Sequence, residues 1–292
     1  MPSGPTIFDR TLLATRRQRA QALGPATFLV DRAADELAER LQAVVRDFEC
    51  AADLGTPTDA VRRSLKQGGK VASIVAAGWG DREELVDEKG TPFAPESADL
   101  VVSALALHFV NDLPGTLAQI RRVLKPDGLL LAAMLGGETL TELRQAFAQA
   151  ESEIDGGASP RVAPFADLRD IGALLQRAGL ALPVVDSDRV TVRYKTIFDL
   201  MQDLRRMGAT NALVERRRAP LRRAILVRLG EIYADRFSDN DGRIRATFET
   251  VWLTGWAPHE SQQKPLKPGS AQQRLADALG TMERSAGEKT GR

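Results

Sequence analysis

Two long apolar runs separated by one amphipathic segment limit the folds open to this chain more than any other feature. The runs are ADLVVSALAL at 98–107 and GLLLAAML at 128–135, and neither alternates between apolar and polar residues. Between them, segment 114–128 has apolar residues at helical spacing and ends in Lys-Pro-Asp-Gly, which predicts a helix that stops there. Uninterrupted apolar strands are typical of a parallel sheet covered on both faces. The sequence therefore predicts a right-handed βαβ crossover in an α/β fold.

The flanking segments extend this pattern in both directions. Upstream, apolar spacing predicts a helix at 31–46 capped by Asp31, followed by strands at 48–54 and 70–77. Downstream, the predicted elements are helices at 166–179, 197–207 and 220–237, an alternating antiparallel or edge strand at 188–194, and a last strand at 246–258 with Phe248, Trp252 and Trp256 on one face. The order is that of an α/β body with a helical, basic insertion before its last strand.

The segment AADLGTPTDAV, residues 51–61, has the start of a nucleotide-binding turn after a predicted strand. Glycines in such turns allow positive φ angles and a close approach of the ligand. Here only Gly55 is present, while Pro57 and Asp59 stand where further glycines are usual. Asp59 would repel a ligand carboxylate, and it is also a candidate cap for a helix beginning at Ala60. The turn is thus either a cofactor site or an altered one.

Charge and composition exclude several classes of protein. The 292 residues carry a net charge of +1, and no apolar run has the roughly 18–20 residues that span a bilayer. The single cysteine, Cys50, excludes an intramolecular disulfide and favours a reducing cytoplasmic location. Residues 204–245 hold 11 Arg against 5 acids, and the run ERRRAPLRR at 215–223 has no interleaved aromatic residues. This pattern favours either a solvated surface or docking to an acidic partner, a phosphate group or anionic lipid, and it argues against nucleic acid.

Several sequence words together resemble one family. They are IFDRTLL at 7–13, DEKGTPF at 87–93, DLVVSALALHFVNDLPGTLAQIRRVLKPDG at 99–128, GGETLTELR at 136–144 and GWAPHESQ at 255–262. The chain resembles class I S-adenosylmethionine-dependent methyltransferases, and more closely the methyltransferase-like proteins of the respiratory complex I assembly type, whose mitochondrial member is an arginine hydroxylase. The resemblance runs from about residue 7 to about residue 270.

The resemblance implies a Rossmann-like, seven-stranded class I methyltransferase sheet whose last strand is antiparallel, with a helical insertion before that strand. The expected organisation is an N-terminal cap segment at 1–30, a methyltransferase-like α/β domain at 31–265 that includes the basic helical insertion at 195–245, and a flexible tail at 266–292. Ligands of such sheets lie beyond the carboxyl ends of the strands.

The resemblance also implies where S-adenosylmethionine would bind. The matching positions are Asp53, Gly55, Asp87, Glu88, Ser103 and Ala104. At the position of the acid that holds the ribose hydroxyls, the alignment places Val75, which accepts no hydrogen bond. Two of the usual anchors are therefore altered, in the turn and at the second strand.

Candidate chemistry rests on few residues. His108 follows the fourth strand and is a candidate general base, or else a packed hydrogen-bonding residue. Phe8 and Arg10 are expected in a cap over the pocket, with Arg10 available to an anionic group. The only other histidine is His259, so no metal site is expected, since the two histidines would have to meet across about 150 residues.

Three functions follow from these patterns. The first is S-adenosylmethionine-dependent or related modification of a protein side chain, in a respiratory complex I subunit, with Arg216, Arg217, Arg218, Arg222 and Arg223 as the partner surface. The second is a non-catalytic assembly protein with a degenerate cofactor turn. The third is methylation of an acyl carrier or a small molecule. We expect a cytoplasmic protein without a transmembrane segment, with peripheral contact at the inner membrane as a further location.

Overall fold

The computed structural model describes residues 6–79, 85–87, 90–263, 277 and 280–282. The chain divides into two compact units, residues 1–259 and 260–292, and the first holds every strand described below. The tail predicted from residue 266 lies almost entirely outside the described residues. None of the described helices is long and apolar enough to cross a membrane.

The first unit alternates strands and helices. The strands are β1 Phe48–Leu54, β2 Val71–Trp79, β3 Leu85–Asp87, β4 Ala98–Ala104, β5 Leu124–Leu135, β6 Ala181–Tyr194 and β7 Ile244–Trp256. The helices are α1 Arg10–Ala22, α2 Phe28–Gln42, α3 Ala60–Gly68, α4 Leu113–Val123, α5 Thr141–Asp155, α6 Leu168–Arg177, α7 Ile197–Arg206 and α8 Arg223–Phe237, with a short 3₁₀ helix at Leu107–Phe109.

The strands form one seven-stranded sheet in the order β3-β2-β1-β4-β5-β7-β6. Strands β2, β1, β4 and β5 are parallel, and β7 runs antiparallel to both of its neighbours, β5 and β6. The predicted class I methyltransferase sheet, with an antiparallel last strand and a helical insertion (α7 and α8) before it, is confirmed.

Strand β3 departs from the parallel pattern, because it pairs antiparallel with β2. Only residues 80–84 connect the two strands. A parallel neighbour needs a crossover of a dozen or more residues, usually a helix, so a connection this short forces an antiparallel pair. The edge of the sheet beside β2 therefore lacks the helix that a parallel crossover would place there.

The sheet is covered on both faces, as its apolar strands predict. Within β4, Val101 packs into one apolar cluster, while Leu100 and Val102 pack into the cluster on the opposite face. All seven residues of β4 are buried. This double burial explains why its sequence shows no alternation of apolar and polar side chains.

Several element boundaries differ from the sequence prediction. Helix α2 begins at Phe28 after Thr27, so Asp31 lies in its first turn and is not its cap. Lys-Pro-Asp-Gly does not end α4 by itself: these residues belong to β5, where Asp127 takes a φ of 61° and the register with β4 shifts. The backbones of Asp127 and Gly128 exchange hydrogen bonds with Ala257, which joins the LKPDG word to GWAPHESQ.

Candidate functional site

The turn after β1 is held by internal contacts. Asp53 is 1% exposed, and its Oδ2 accepts a hydrogen bond of 2.8 Å from Arg62 of α3. Burial raises the pKa of Asp53 to about 6, against the opposing effect of Arg62. The Asp53 carboxylate is thus paired with α3. Its other oxygen, Oδ1, is buried and has no hydrogen-bond partner among the described residues.

The end of β4 ties the same turn from the other side. The Ser103 hydroxyl donates to the Leu54 carbonyl at 2.7 Å, and the Ala104 amide donates to Thr56 Oγ1 at 3.1 Å. Both residues are buried, and neither lines the small cavity or the large cavity described below. The polar groups predicted to meet a cofactor here instead bond to the turn itself.

The indole of Trp79, the last residue of β2, covers the remaining glycine of the turn. Gly55 has a φ of +67°, and a Cβ built on it would lie 2.2 Å from the Trp79 ring and 3.2 Å from Ala106. Since a ligand would approach the turn on this bare side of Gly55, the tryptophan occupies the volume that the glycine leaves open. The sequence analysis did not single out Trp79. The available signal was GWG at 78–80, where the very short connection between β2 and β3 begins.

The position predicted to hold the ribose hydroxyls, Val75, does not lie at the end of β2. Val75 lies in the middle of β2 opposite Ala52, and the strand continues to Gly78 and Trp79. The apolar run was predicted to end at Ala77 because Gly78 follows it, but Gly78 pairs with Val86 of β3 and prolongs the strand. The end of β2 therefore presents an indole where the family pattern has an acid.

Two acids, Asp87 and Glu88, are among the predicted S-adenosylmethionine positions. Asp87 ends β3, and its Oδ1 accepts a hydrogen bond from the Thr91 amide at 2.8 Å. Glu88 lies outside the described residues. This contact of Asp87 stabilises the loop after β3, and the predicted role of Asp87 in binding a cofactor stays a prediction.

The residues before α1 are anchored by Asn111. Its Oδ1 accepts from the amides of Ile7 and Phe8 at 2.9 and 2.7 Å, and its Nδ2 donates to the Phe8 carbonyl at 3.2 Å. Phe8 is buried against Phe109, with ring centroids 5.6 Å apart. The sequence offers Asn111 or Asp112 as the cap of the next helix, and in the structure Asp112 fills that role by accepting from the Gly115 amide.

A small cavity of about 190 Å³ lies under α1, between Trp79, Ala106 and Thr116. Arg10 lines it, whereas Phe8 does not. Cofactor sites usually occupy about 300–1,000 Å³, so this space is too small for a nucleoside-bearing cofactor.

A second cavity, of about 810 Å³, is within that range and lies at the carboxyl ends of β4 and β5. We call it the large cavity. It is bounded by α1, α2, α5, α7 and the loops at 161–165 and 208–212, and the altered part of the turn, Pro57 to Asp59, reaches its rim. Asp59 precedes α3 but makes no side-chain cap, and its carboxylate lies 3.4 Å from Arg63.

His108 lies in the wall of the large cavity. It is 6% exposed, and its Nδ1 accepts from the Leu135 amide at 3.3 Å. Burial, and secondarily the charge of Arg17, lowers the pKa of His108 to about 3. A ring whose Nδ1 accepts a hydrogen bond carries its proton on Nε2. His108 is thus a neutral N–H donor at physiological pH, and its role as a general base stays a prediction.

The basic run ERRRAPLRR, residues 215–223, lies in the loop between α7 and α8 except for its last residue, Arg223, which begins α8. Arg216 is 3.3 Å from Asp9, and Arg217 and Arg222 both bind Asp155. Among the described residues, Arg218 and Arg223 are the two members of the run without an acidic partner. Most of this charge therefore holds the insertion to the body of the protein.

Among the described residues, no group of three or more His, Cys, Asp or Glu side chains is placed to hold a metal ion. His108 is buried beside Phe109 and Phe165, whereas His259 is exposed.

Comparisons with known proteins agree with the fold and resolve the family. A methyltransferase-domain model matches residues 80–132. The arginine-hydroxylase NDUFAF5 of Danio rerio is 35% identical over 289 residues, covering 94% of this chain and 90% of the relative. The chain belongs to the NDUFAF5 family. The Homo sapiens member is 38% identical over 280 residues, covering 91% of this chain and 81% of its own length.

Two further matches place the NDUFAF5 family within a wider group. A malonyl-[acyl-carrier protein] O-methyltransferase of Laribacter hongkongensis is 41% identical, but over 63% of this chain and 59% of that enzyme. A crystal structure of a candidate methyltransferase from Bacillus halodurans has a TM-score of 0.50 and 16% identity over 77% of this chain and 99% of its own. At that identity the match shows the fold alone.

The first-strand turn of this NDUFAF5-family chain does not fit S-adenosylmethionine as it is folded. Trp79 fills the space over Gly55, the cavity beside it is small, and β2 has no carboxylate among its own residues, all of which are described. The methyltransferase-domain match begins at residue 80, after the turn. The part of the chain that the methyltransferase-domain model matches runs from before β3 into β5.

Proposed function

We propose that the protein acts on a side chain of another polypeptide, a subunit of respiratory complex I, during assembly of that complex. The observation that carries the proposal is the extent of the family match: relatives named arginine-hydroxylase align over 91–94% of this chain, whereas the methyltransferase-domain model matches only residues 80–132. The acyl-carrier methyltransferases, which would support the third function, align over a smaller share.

The partner would dock beside the loop between α7 and α8. Arg218 and Arg223 are exposed there and have no acidic partner among the described residues. Exposed guanidinium groups steer acidic partners and bind carboxylates in a bidentate manner. An acidic segment of the substrate protein suits this loop, and the same charges would support peripheral contact with an anionic membrane surface.

S-adenosylmethionine is not the reagent that we propose for the first-strand turn. When bound to a methyltransferase it supplies an electrophilic methyl group, and Asp53, Gly55, Asp87, Glu88, Ser103 and Ala104 are the positions predicted to hold it. The contacts of Asp53, Ser103 and Ala104 with the turn, and of Trp79 with Gly55, oppose that binding. We therefore derive no methyl transfer from this site.

A second candidate, a non-catalytic assembly protein, is favoured by the same filled turn. A side chain that packs into a former ligand site stabilises the fold without the ligand, and such a protein needs only its partner surface. The two candidates differ in whether the partner is chemically changed.

The test is to incubate the protein with complex I subunits, in parallel with S-adenosylmethionine and with O₂ and a reductant as sources of the methyl group or the oxygen atom, and to measure both binding and the mass of the bound subunit. Retention of a subunit that gains the mass of a methyl group or of an oxygen atom supports side-chain modification. Retention of a subunit of unchanged mass supports the non-catalytic candidate, and no retained subunit contradicts both. Arg218→Ala/Arg223→Ala should lose retention, with Arg177→Ala, an exposed change on α6, as the matched control.

Calorimetry with S-adenosylmethionine tests the assignment of the turn. We expect no measurable binding at millimolar concentration to the unmodified protein. Strong binding would contradict the closed turn, and Trp79→Ala shows whether the indole is what excludes the ligand.

A further inference from the structure

The large cavity has a property that neither a methyl donor nor an arginine substrate explains. Its interior walls are apolar, and six of the side chains that form them are Leu29, Leu105, Leu135, Leu140, Leu143 and Phe147. Five of these are less than 10% exposed, and Leu105 is partly buried beside the same clusters. A space of about 810 Å³ with such walls favours an apolar body of substantial length.

Cationic side chains surround this apolar interior. Seven arginines line the cavity, and they fall into two groups by their partners. Three are neutralised within the protein: Arg63 by Asp59 and Asp31, Arg161 by Glu151, and Arg206 by Asp203. The other four, Arg16, Arg17, Arg19 and Arg205, have no acidic side chain within 4 Å among the described residues.

Arg16 and Arg17 are the informative members of the second group. Nη1 of Arg16 is buried and has no hydrogen-bond partner among the described residues. Burial lowers the pKa of both guanidinium groups, and Arg216 and Arg19 lower that of Arg16 further, against a smaller opposing effect of Asp9. A buried donor without a partner is costly, so Arg16 Nη1 favours a negatively charged ligand in this cavity, where Arg17, which lies over the Phe109 ring, is also part of the lining.

The acids that line the cavity do not supply this counter-charge. Asp31 and Asp59 are the acidic residues of the lining, and each lies 3.4 Å from Arg63 at the rim. His108, also in the wall, is neutral because its pKa is lowered to about 3, and its Nε2–H is one more donor toward the cavity. The lining as a whole donates hydrogen bonds and attracts anions.

From these observations we propose that the large cavity binds an amphipathic anion, a molecule with an aliphatic body and one carboxylate or phosphate head held by Arg16 and Arg17. A free arginine side chain would be repelled by four unpaired guanidinium groups. A neutral lipid would leave Arg16 and Arg17 without counter-ions, and a bare anion would leave the apolar walls uncovered. This inference goes beyond the proposed function and uses different residues from the partner loop.

The experiment is isothermal titration of the full chain, below the micellar concentration, with dodecanoate, dodecyl phosphate, dodecanol, acetate and dodecyltrimethylammonium. We expect dodecanoate or dodecyl phosphate to bind at least tenfold more tightly than dodecanol, about 1.4 kcal/mol, with no measurable binding of acetate or of the cationic amphiphile. The better of the two anions identifies the head group as carboxylate or phosphate. Equal binding of dodecanol, tighter binding of the cation, or no binding of either anion would overturn the proposal.

Variants separate the charged and apolar parts of the site. Arg16→Gln and Arg17→Gln should each weaken the anion about tenfold and leave dodecanol unchanged, whereas Leu143→Trp, which fills the cavity, should weaken both. Arg177→Gln, on the exposed face of α6, should change neither. If Arg17→Gln unfolds the protein, Arg19→Gln at the exposed rim gives the same comparison with a smaller decrease. Full affinity in all the arginine variants would contradict the assigned head-group site.

Discussion

The first-strand turn and the large cavity lie at the same carboxyl edge of the sheet, but the turn is packed with the protein's own side chains, whereas the cavity is open. In the turn, Asp53 pairs with Arg62, Ser103 bonds to the backbone of Leu54, and Trp79 packs on Gly55. In the cavity, Arg16 and Arg17 are left without counter-ions among the described residues. One region is closed by the protein's own side chains, and the other is open and needs a ligand.

This difference shows how a fold can be kept while its ligand site moves. The carboxyl edge of a doubly wound sheet offers crevices wherever neighbouring strands diverge, and the shared fold does not decide which crevice is used. Here the crevice after β1 is filled, and the crevice after β4 and β5 is enlarged by α1 and by the insertion after β6. The location of the ligand must be read from the side chains.

The largest expected effect comes from Gly55→Ala, which tests whether the turn is closed. Its Cβ would lie 2.2 Å from the Trp79 ring at a φ of +67°. We expect a loss of about 2–5 kcal/mol in the free energy of unfolding, from about 1–3 for overpacking and about 1–2 for the left-handed backbone. Urea denaturation measures it.

Gly69→Ala is the matched control for that change. Gly69 also has a positive φ, +72°, but nothing lies within 4 Å of its Cβ position, so only the backbone cost should appear. In a Trp79→Ala background, Gly55→Ala should likewise cost only the backbone part. An equal cost at both glycines would show that Trp79 does not close the turn.

The next largest effect is the pH dependence caused by His108 in the cavity wall. Its pKa is about 3 in the folded protein and 6.5 ordinarily, so the unfolded chain binds a proton first as the pH falls. Stability should therefore fall below about pH 6.5, by about 2 kcal/mol at pH 5 relative to pH 7. His108→Gln should remove this component, which unfolding curves at several pH values measure. An unchanged profile would mean that His108 is accessible to protons.

Asp53 in the closed turn should produce the opposite slope. Its pKa is about 6 in the folded protein and 3.8 ordinarily, so the folded protein binds a proton first as the pH falls. Stability should rise on acidification, by about 1.4 kcal/mol between pH 7 and pH 5. Asp53→Asn should remove this gain. The pH dependences of stability caused by His108 and Asp53 nearly cancel in the unmodified protein. The stability profiles of His108→Gln and Asp53→Asn against pH should therefore diverge in opposite directions. Parallel profiles would contradict the contrast between the two regions.

The sequence predicts the sheet well, because burial on both faces leaves a direct signature in β4 and β5. It predicts the roles of the family words less well. Thr139 of GGETLTELR exchanges hydrogen bonds with the Glu249 backbone, and Glu142 accepts from Thr247, so this word fastens α5 to β7. A sequence motif that a family shares because its residues pack cannot be distinguished from one shared because its residues are catalytic until the contacts of those residues are known.

The sequence predicted only those parts of the candidate site that a single residue identifies. Gly55 identified the turn, but its cover, Trp79, depends on how far β2 continues, and that depends on pairing with β3. Arg16 and Arg17 were visible in the sequence as part of a basic helix, yet the absence of acidic partners is a property of the tertiary structure. The open cavity therefore could not be predicted from residue types alone.

The smallest expected effect on global stability is that of Asn111→Ala, which loosens the residues before α1. The variant loses the hydrogen bonds to Ile7 and Phe8, and we expect a cost of about 1–3 kcal/mol confined to that segment. Hydrogen exchange of the Ile7 and Phe8 amides measures the local change, and Asn240→Ala, in an exposed turn, is the control.

The same variant tests the link between this anchor and the large cavity. Helix α1 supplies Arg16 and Arg17 to that cavity, and the residues before it are held by Asn111. Asn111→Ala should therefore weaken the binding of dodecanoate, which isothermal titration measures. If anion binding is unchanged although the Ile7 and Phe8 amides exchange freely, α1 is held in place by its packing and not by its anchor.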